Sequence, residues 1–265
     1  MGFKLALAQC RWPQDGDVLR QVDDFAAQAA SAGAQLLAFP ENLMFPQGVG
    51  PADIAFASQA LDGPFASGIA HIAVERGLWI VFTMAEATRH RRASVPPYNT
   101  AVVVDEAGTI QRVYHKCHLY DAHGVYESDR YLPGEALCAP VRSPFASFAV
   151  GICYDLRFPE TLRAHVDSLE LALFPACWHD GPHKAEHWET LLRARAIESE
   201  CYVAGACRCG DSLVERSLVV DPLGEVIARG AAGDALVVTE IDPERVAAAR
   251  EAMPVLSHRR PGLYR

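Results

Sequence analysis

The chain has 265 residues, of which half are hydrophobic and 22% are charged, a composition typical of a globular protein with a substantial core. Its formal net charge of −9 argues against binding nucleic acid or an anionic membrane through a generally basic surface. No apolar run approaches the roughly 18 residues of a membrane span, and the apolar stretch at residues 3–8 is too short for a signal peptide. We therefore expect a cytoplasmic protein that binds neither partner.

Strands and helices alternate through the first half of the chain. Apolar residues recur at helical spacing over 18–32, and Gly33 follows as a C-cap. A hairpin is predicted around 105–108, which reads Asp-Glu-Ala-Gly between two strand-like runs. The predicted elements of this half are strands at 3–9, 35–39 and 78–84, helices at 18–32 and 64–76 (ended by Gly77), and hairpin strands at 100–104 and 110–114.

The second half repeats this alternation and contains a second, similar hairpin, which hints at pseudo-symmetric halves. Pro175 is expected to stop a short strand. The simplest architecture is one α/β domain with sheets buried beneath helices. The predicted elements are strands at 147–152, 169–174, 201–209 and 235–241, a helix beginning at 160–165, a helix at 183–199 with Trp188, Leu191, Ala194 and Ile197 on one stripe, and hairpin strands at 213–220 and 225–228.

The apolar segment over 147–152 ends abruptly at Cys153, and the polar pair Tyr154 and Asp155 follows. A thiol at such a strand end can project from a rigid scaffold into a cleft. Its thiolate would attack a carbonyl or nitrile carbon and form a thioester that water later cleaves. The backbone N–H of Tyr154 is well placed to donate into an oxyanion hole. The alternative is a packed thiol, as expected for most of the other cysteines, which we predict to be reduced and structural.

Glu41 and Lys116 lie in similar settings upstream of the cysteine. Glu41 follows a short apolar strand, and a carboxylate at the mouth of an apolar cleft has its pKa raised by desolvation, which suits a general base. Lys116 follows a hairpin strand, where its ammonium can lower the pKa of a thiol or hold a developing oxyanion. Taken singly, a surface glutamate and a solvated lysine are the simpler interpretations.

A different class of hydrolase is possible at His183 and His187, because the segment His-Lys-Ala-Glu-His matches the H-x-x-E-H zinc pattern. Two histidines four residues apart share a helix face and could bind zinc. The third ligand is unidentified, and the preceding Gly181-Pro182 indicates that the helix is only beginning there. A polar helix entry is the simpler interpretation, and no metal or other cofactor is predicted.

Taken jointly, three ordered motifs resemble the nitrilase, or carbon–nitrogen hydrolase, superfamily. The resemblance covers essentially the whole chain, as one domain over 1–265, and it replaces the simpler interpretations given above for the single residues. The motifs are Phe39-Pro40-Glu41-Asn42, then His115-Lys116-Cys117-His118-Leu119-Tyr120-Asp121, then Gly151-Ile152-Cys153-Tyr154-Asp155-Leu156-Arg157-Phe158-Pro159-Glu160.

This resemblance implies a four-layer α-β-β-α sandwich that pairs as a homodimer, and we expect the C-terminal tail at 254–265 to take part in dimer packing. It implies that Cys153 is the nucleophile, Glu41 the general base and Lys116 the group that stabilises the tetrahedral intermediate. Glu127 matches a second glutamate of the family, which would orient Lys116 and the substrate.

The segment after the cysteine also resembles one branch of the family. True nitrilases usually carry Trp-Glu there, whereas Tyr154-Asp155 resembles the amidase-like branches. Later segments, within 181–210 and 253–261, resemble deaminated-glutathione amidases, which implies hydrolysis of deaminated glutathione to 2-oxoglutarate and cysteinylglycine. The ω-amidases of 2-oxoglutaramate share the catalytic motifs and remain an alternative, as does a non-enzymatic adaptor with an unused site.

An anionic substrate needs a local cation in this acidic protein. Arg157 is the candidate for a substrate carboxylate, and a structural salt bridge to Asp155 or Glu160 is the alternative. The loops at 42–60, 86–98 and 121–135 are expected to shape the pocket.

Overall fold

The computed structural model describes residues 2–88 and 95–264, so the predicted loop at 86–98 lies partly outside the described residues. No helix in the described ranges is long and apolar enough to span a membrane. The described strands are β1 (Phe3–Gln9), β2 (Leu36–Ala38), β3 (Trp79–Glu86), β4 (Tyr98–Val104), β5 (Ile110–His115), β6 (Asp121–Ala122), β7 (Val125–Tyr126), β8 (Val141–Arg142), β9 (Ser147–Val150), β10 (Leu171–Ala176), β11 (Tyr202–Cys207), β12 (Leu218–Val220), β13 (Val226–Arg229) and β14 (Ala235–Ile241). The described α-helices are α1 (Val18–Ser31), α2 (Pro51–Ala57), α3 (Pro64–Arg76), α4 (Glu160–Arg163), α5 (Lys184–Ser199) and α6 (Pro243–Ala252).

Two six-stranded sheets of the same design form the middle of the molecule. Their orders are β14-β1-β2-β3-β4-β5 and β8-β9-β10-β11-β12-β13. In each, three central strands run parallel, one antiparallel strand flanks one side and an antiparallel hairpin flanks the other. The hairpins β4-β5 and β12-β13 therefore occupy equivalent places, which confirms the predicted pseudo-symmetry.

The strands of the first sheet divide their side chains between two cores, because successive residues of a strand face opposite sides. In β1, Leu5 and Leu7 pack toward the second sheet, whereas Ala6 and Ala8 pack with α1 and α3. Helix α5 covers the far side of the second sheet through Trp188 and other apolar residues. The layers are thus α1 and α3, sheet, sheet, α5, which confirms the predicted α-β-β-α sandwich.

The predicted apolar stripe of α5 is wrong toward the C-terminal end of the helix, although Leu191, its second residue, packs half-buried against the core. The helix buries Trp188, Leu192, Arg195, Ala196 and Ser199, whereas the side chain of Ile197 is 52% exposed. Steps of three residues fall about 60° short of a full turn each, so a stripe with that spacing drifts to the opposite face after three steps. The residues that are buried follow one another at steps of four, three, one and three positions, so they stay on one face of the helix.

Pro175 does not stop its strand, which is a second correction. Strand β10 continues to Ala176 and pairs with β11 beyond the proline, whereas its pairing with β9 ends at Leu173. The proline therefore stands where the neighbouring ladder has ended, so its missing N–H removes no bond to β9.

Helix α6 was not predicted, although Asp242 caps it by accepting from the Glu244 N–H at 3.0 Å, and Asp-Pro-Glu is a usual helix start.

Candidate active site

Cys153 lies just after β9, where a short 3₁₀ helix (Cys153–Arg157) begins. Its backbone has a φ of 46°, in the left-handed region that side chains rarely adopt. The backbone just before Cys153 passes close to the ring of Phe174, which explains the glycine at position 151. A Cβ added there would lie 2.5 Å from a ring atom of Phe174. The nearly buried thiol lines a pocket. The strand end thus brings the thiol to a cleft, as the sequence predicted.

The carboxylate of Asp155 holds this turn in place. It is fully buried and accepts hydrogen bonds from the Ile152 N–H at 2.8 Å, the Tyr114 hydroxyl at 2.8 Å and the His118 N–H at 3.1 Å. One of its oxygens also lies 2.7 Å from His118 Nδ1. Asp155 therefore ties the nucleophile turn to the segment that follows β5, where Lys116 lies.

Glu41, Lys116 and Glu127 meet beside the thiol. The Lys116 ammonium donates to Glu41 Oε1 at 2.8 Å and to the two Glu127 oxygens at 2.9 and 2.8 Å. Lys116 is only 2% exposed, so these ion pairs are shielded from water. The thiol of Cys153 lines the same pocket as these three side chains, and the charges of Glu41 and Lys116 both act on its pKa. The structure therefore brings together the four side chains that the motifs indicated, from four separate parts of the chain.

Three further groups fix the two carboxylates and were not predicted. Asn99 Nδ2 bridges them, at 2.9 Å from Glu41 Oε1 and 3.1 Å from Glu127 Oε1. The Cys177 N–H donates to Glu41 at 2.9 Å and the Tyr120 N–H to Glu127 at 2.7 Å. Asn99 carried a usable signal, since a buried asparagine inside a strand is unusual. Backbone donors carry no sequence signal.

The pKa of Glu41 is lowered, which corrects the expected rise. Burial raises it, as predicted, but the Lys116 ammonium and the Cys177 N–H stabilise the charged form and together outweigh burial. The expectation was wrong because it treated the carboxylate as alone in its cleft. Glu41 is therefore ionised at neutral pH and ready to accept a proton.

The pKa of the Cys153 thiol is raised well above its ordinary value, so the expected net lowering by Lys116 does not occur. Burial is the largest cause, and the negative charge of Glu41 adds to it, while Lys116 acts in the opposite direction without prevailing. The resting site thus holds a thiol, a carboxylate and an ammonium. The thiol is therefore protonated at neutral pH.

These charge states predict a broad pH profile for kcat/KM. Glu41 must be ionised, and its pKa lies below the ordinary 4.5, so the acid decline should come below that pH. Lys116 must stay charged, and its pKa lies well above 10.5 because Glu127 and Glu41 outweigh its burial. We expect a plateau from about pH 5 to pH 9, measured with an amide that has no ionisable group. A decline of kcat/KM within this range, on either side of pH 7, would contradict this assignment.

The pocket above the thiol encloses about 890 Å³, including space open to solvent. The predicted loops 42–60 and 121–135 both line it, whereas the described part of 86–98 does not. Its lining carboxylates among the described residues are Glu41 and Glu127, and both contact Lys116. The remaining charged side chains that line it are Arg130, Arg157 and Lys184. The pocket therefore offers cations to a ligand.

Arg157 is held by an aromatic ring. Its guanidinium lies 4.8 Å from the ring centroid of Trp178. No ion pair joins it to Asp155 or Glu160 within the ranges that the structure describes, so the salt-bridge alternative is not supported. Its charge is available to a substrate.

The histidine pair does not form a metal-binding group. His183 and His187 have ring centroids 6.2 Å apart, and the side chain of His183 is 74% exposed beside the exposed Glu186. No group of three or more potential ligands occurs among residues 2–88 and 95–264. Structural zinc needs four ligands and catalytic zinc needs three, so this donor set does not support the zinc alternative.

The comparison with protein families agrees with this geometry. The model of the carbon–nitrogen hydrolase family matches residues 4–251. This chain belongs to that family. It is therefore a hydrolase that acts on carbon–nitrogen bonds other than peptide bonds, which disfavours the adaptor alternative.

Individual relatives cover nearly the whole chain. A hydrolase from Mycobacterium tuberculosis is 37% identical over 275 residues, which cover 96% of this chain and 94% of the relative. The deaminated glutathione amidase of Escherichia coli O157:H7 is 33% identical over 251 residues, which cover 94% and 92%. A solved structure of an amidase of the nitrilase superfamily, from Nesterenkonia sp. AN1, has a TM-score of 0.81 and 28% identity, covering 99% of this chain and 95% of its own. That structure carries the acetamide moiety of fluoroacetamide bound covalently at the active-site cysteine.

Proposed function

We propose that this hydrolase cleaves deaminated glutathione to 2-oxoglutarate and cysteinylglycine, through a thioester on Cys153. The observation that carries the proposal is one pocket that holds the Cys153 thiol together with the Glu41–Lys116–Glu127 cluster. Among the described residues, its other charged lining side chains are cations. A small amide with carboxylates fits such a pocket. The similarity to the E. coli enzyme and the Tyr154-Asp155 pair support the same substrate class.

In the first half of the reaction, Glu41 accepts the thiol proton of Cys153 and the sulfur bonds to the amide carbon. The carbonyl oxygen becomes an oxyanion next to the Lys116 ammonium. It also accepts from the Tyr154 N–H, which has no other acceptor among the described residues. The C–N bond then breaks, and Glu41 gives its proton to the leaving amine. The product is a thioester of the acyl part.

In the second half, water replaces the amine. Glu41 takes a proton from the water, whose oxygen bonds to the thioester carbon. The same two donors hold the second oxyanion. The C–S bond breaks, Glu41 returns the proton to the sulfur, and the carboxylic acid leaves. Glu127 and Asn99 keep Lys116 and Glu41 in position through both halves of the reaction.

Arg157 binds the substrate carboxylate in this proposal, on the part of the substrate that is joined to Cys153.

The cytoplasmic location and the homodimer with the 254–265 tail at its interface remain predictions. A sedimentation measurement of mass in solution tests the dimer.

The wild-type enzyme should prefer deaminated glutathione. We expect its kcat/KM on this amide to exceed that on 2-oxoglutaramate by about tenfold or more, since the former places charges on both sides of the amide. A simple nitrile should be a poorer substrate still. Steady-state kinetics with the three compounds at equal ionic strength make the comparison. Equal or better activity on either competitor rejects the proposed substrate.

A further inference from the structure

Trp178 contacts two residues that supply cations to the pocket, Arg157 through its guanidinium and Lys184 through its backbone. The guanidinium of Arg157 lies over its ring, and its indole Nε1–H donates to the backbone oxygen of Lys184 at 3.0 Å. Trp178 is 4% exposed and packs on Trp188, with ring centroids 5.1 Å apart. A buried, rigid side chain therefore fixes the places of Arg157 and of the Lys184 backbone relative to each other.

The side chain of Lys184 lines the pocket without a carboxylate partner in the described part of the chain. Its ammonium lies 3.3 Å from the Tyr120 hydroxyl and 5.2 Å from the centre of that ring. The backbone of Tyr120 in turn donates to Glu127, which contacts Lys116. Lys184 is thus a half-buried cation that contacts the ring of Tyr120. Tyr120 connects it to Glu127, beside Lys116.

We propose that Lys184 binds a second carboxylate, on the amine part of the substrate, while Arg157 binds the carboxylate of the acyl part. Arg157 lies four residues after the nucleophile on the same short helix, close to where the acyl thioester forms. Lys184 begins a different element, α5, and its backbone lies at the indole N–H edge of Trp178, whereas Arg157 lies over the ring. The inference rests on the proposed function, and it makes Lys184 a determinant of specificity for amides that carry a carboxylate on each side.

The test compares two substrates in the wild type and in Lys184→Met. Deaminated glutathione carries carboxylates in its acyl and amine parts, whereas 2-oxoglutaramate carries one in its acyl part alone. We expect Lys184→Met to lower the kcat/KM ratio of the first to the second by about tenfold, through KM, because one charge-assisted contact is lost. Lys184→Arg should restore most of the ratio. Arg157→Met should lower activity on both substrates.

A matched control is Lys4→Met, which removes the same charge from an exposed lysine outside the pocket and should leave the ratio unchanged. An unchanged ratio in Lys184→Met overturns the inference. So does a drop in the ratio with Arg130→Met in place of Lys184→Met, which would assign the second carboxylate to Arg130. The wild-type preference alone tests the proposed substrate, and the change in ratio alone tests Lys184, so the two failures are distinguishable.

Discussion

Replacing Cys153 by alanine should abolish amide hydrolysis and leave the fold intact. Without the sulfur no thioester can form, and removal of a catalytic nucleophile lowers kcat by about 10⁴-fold or more. The side chain lies at the floor of a pocket, so its loss opens little new space. The left-handed backbone at Cys153 is kept by the buried Asp155 network and not by the sulfur. Turnover and the thermal midpoint of unfolding are the two measurements.

The control for this variant is Cys201→Ala, the same change at a fully buried cysteine that does not line the pocket. It should keep wild-type kcat and lose about 1 kcal/mol of stability as a small cavity forms. Mass spectrometry of the wild type quenched during turnover should show an acyl adduct on Cys153. If Cys153→Ala keeps wild-type activity, the assignment of the nucleophile is wrong.

The sequence predicts what depends on local pattern. Short continuous apolar runs identify the long strands, which are buried on both faces, and Gly77, with a φ of 62°, ends α3 as predicted. The motifs located Glu41, Lys116 and Cys153 because each follows directly on a strand, where a side chain can reach the edge of a sheet. These features are encoded within a few residues.

The charge states could not be predicted in the same way, because they depend on contacts between distant residues. Glu41 and Lys116 are 75 residues apart in the chain and 2.8 Å apart in space. Burial alone should raise the pKa of Glu41, and the sign reverses once Lys116 and the Cys177 N–H are included. Lys116 alone should lower the pKa of Cys153, and the sign reverses once burial and Glu41 are included. The pairing of Arg157 with Trp178 was missed for the same reason.

The fold explains how those distant residues meet. Glu41 follows β2, Lys116 follows β5 and Cys153 follows β9 in the facing sheet, so packing the two sheets together brings the strand ends to one place. The site therefore lies between the two similar halves. A single-residue change at this junction affects groups from both sheets.

Lys116→Met is the change with the largest expected combined effect, because Lys116 neutralises the buried carboxylate of Glu41 and the largely buried one of Glu127. Its removal leaves Glu41 and Glu127 close together without a cation. Breaking a buried ion pair by removing one partner costs about 3–5 kcal/mol. Hydrolysis should fall by at least about 10³-fold as well, because the oxyanion loses its charged partner. Activity is measured at a temperature where circular dichroism shows the variant folded, and stability by guanidinium unfolding.

The loss of stability should depend on pH in a defined direction. In the wild type the pKa of Glu41 is lowered, so its ionised form stabilises the fold above the pKa of the unfolded chain. Without Lys116, burial raises the pKa of Glu41 above that of the unfolded chain, so the folded state is favoured when the carboxyl is protonated and loses stability as pH rises. The deficit relative to the wild type should therefore grow from pH 5 to pH 8.

Two variants separate this effect from a general loss of charge. Arg76→Met breaks the partly exposed pair with Asp23, 2.7 Å long, and should change stability by no more than about 1 kcal/mol at either pH. Glu127→Gln added to Lys116→Met removes one of the two uncompensated carboxylates and should recover part of the stability without recovering activity. A Lys116→Met enzyme with near wild-type turnover would show that Lys116 does not stabilise the oxyanion. A loss of stability that does not change with pH would show that Glu41 is not the buried charge that Lys116 neutralises.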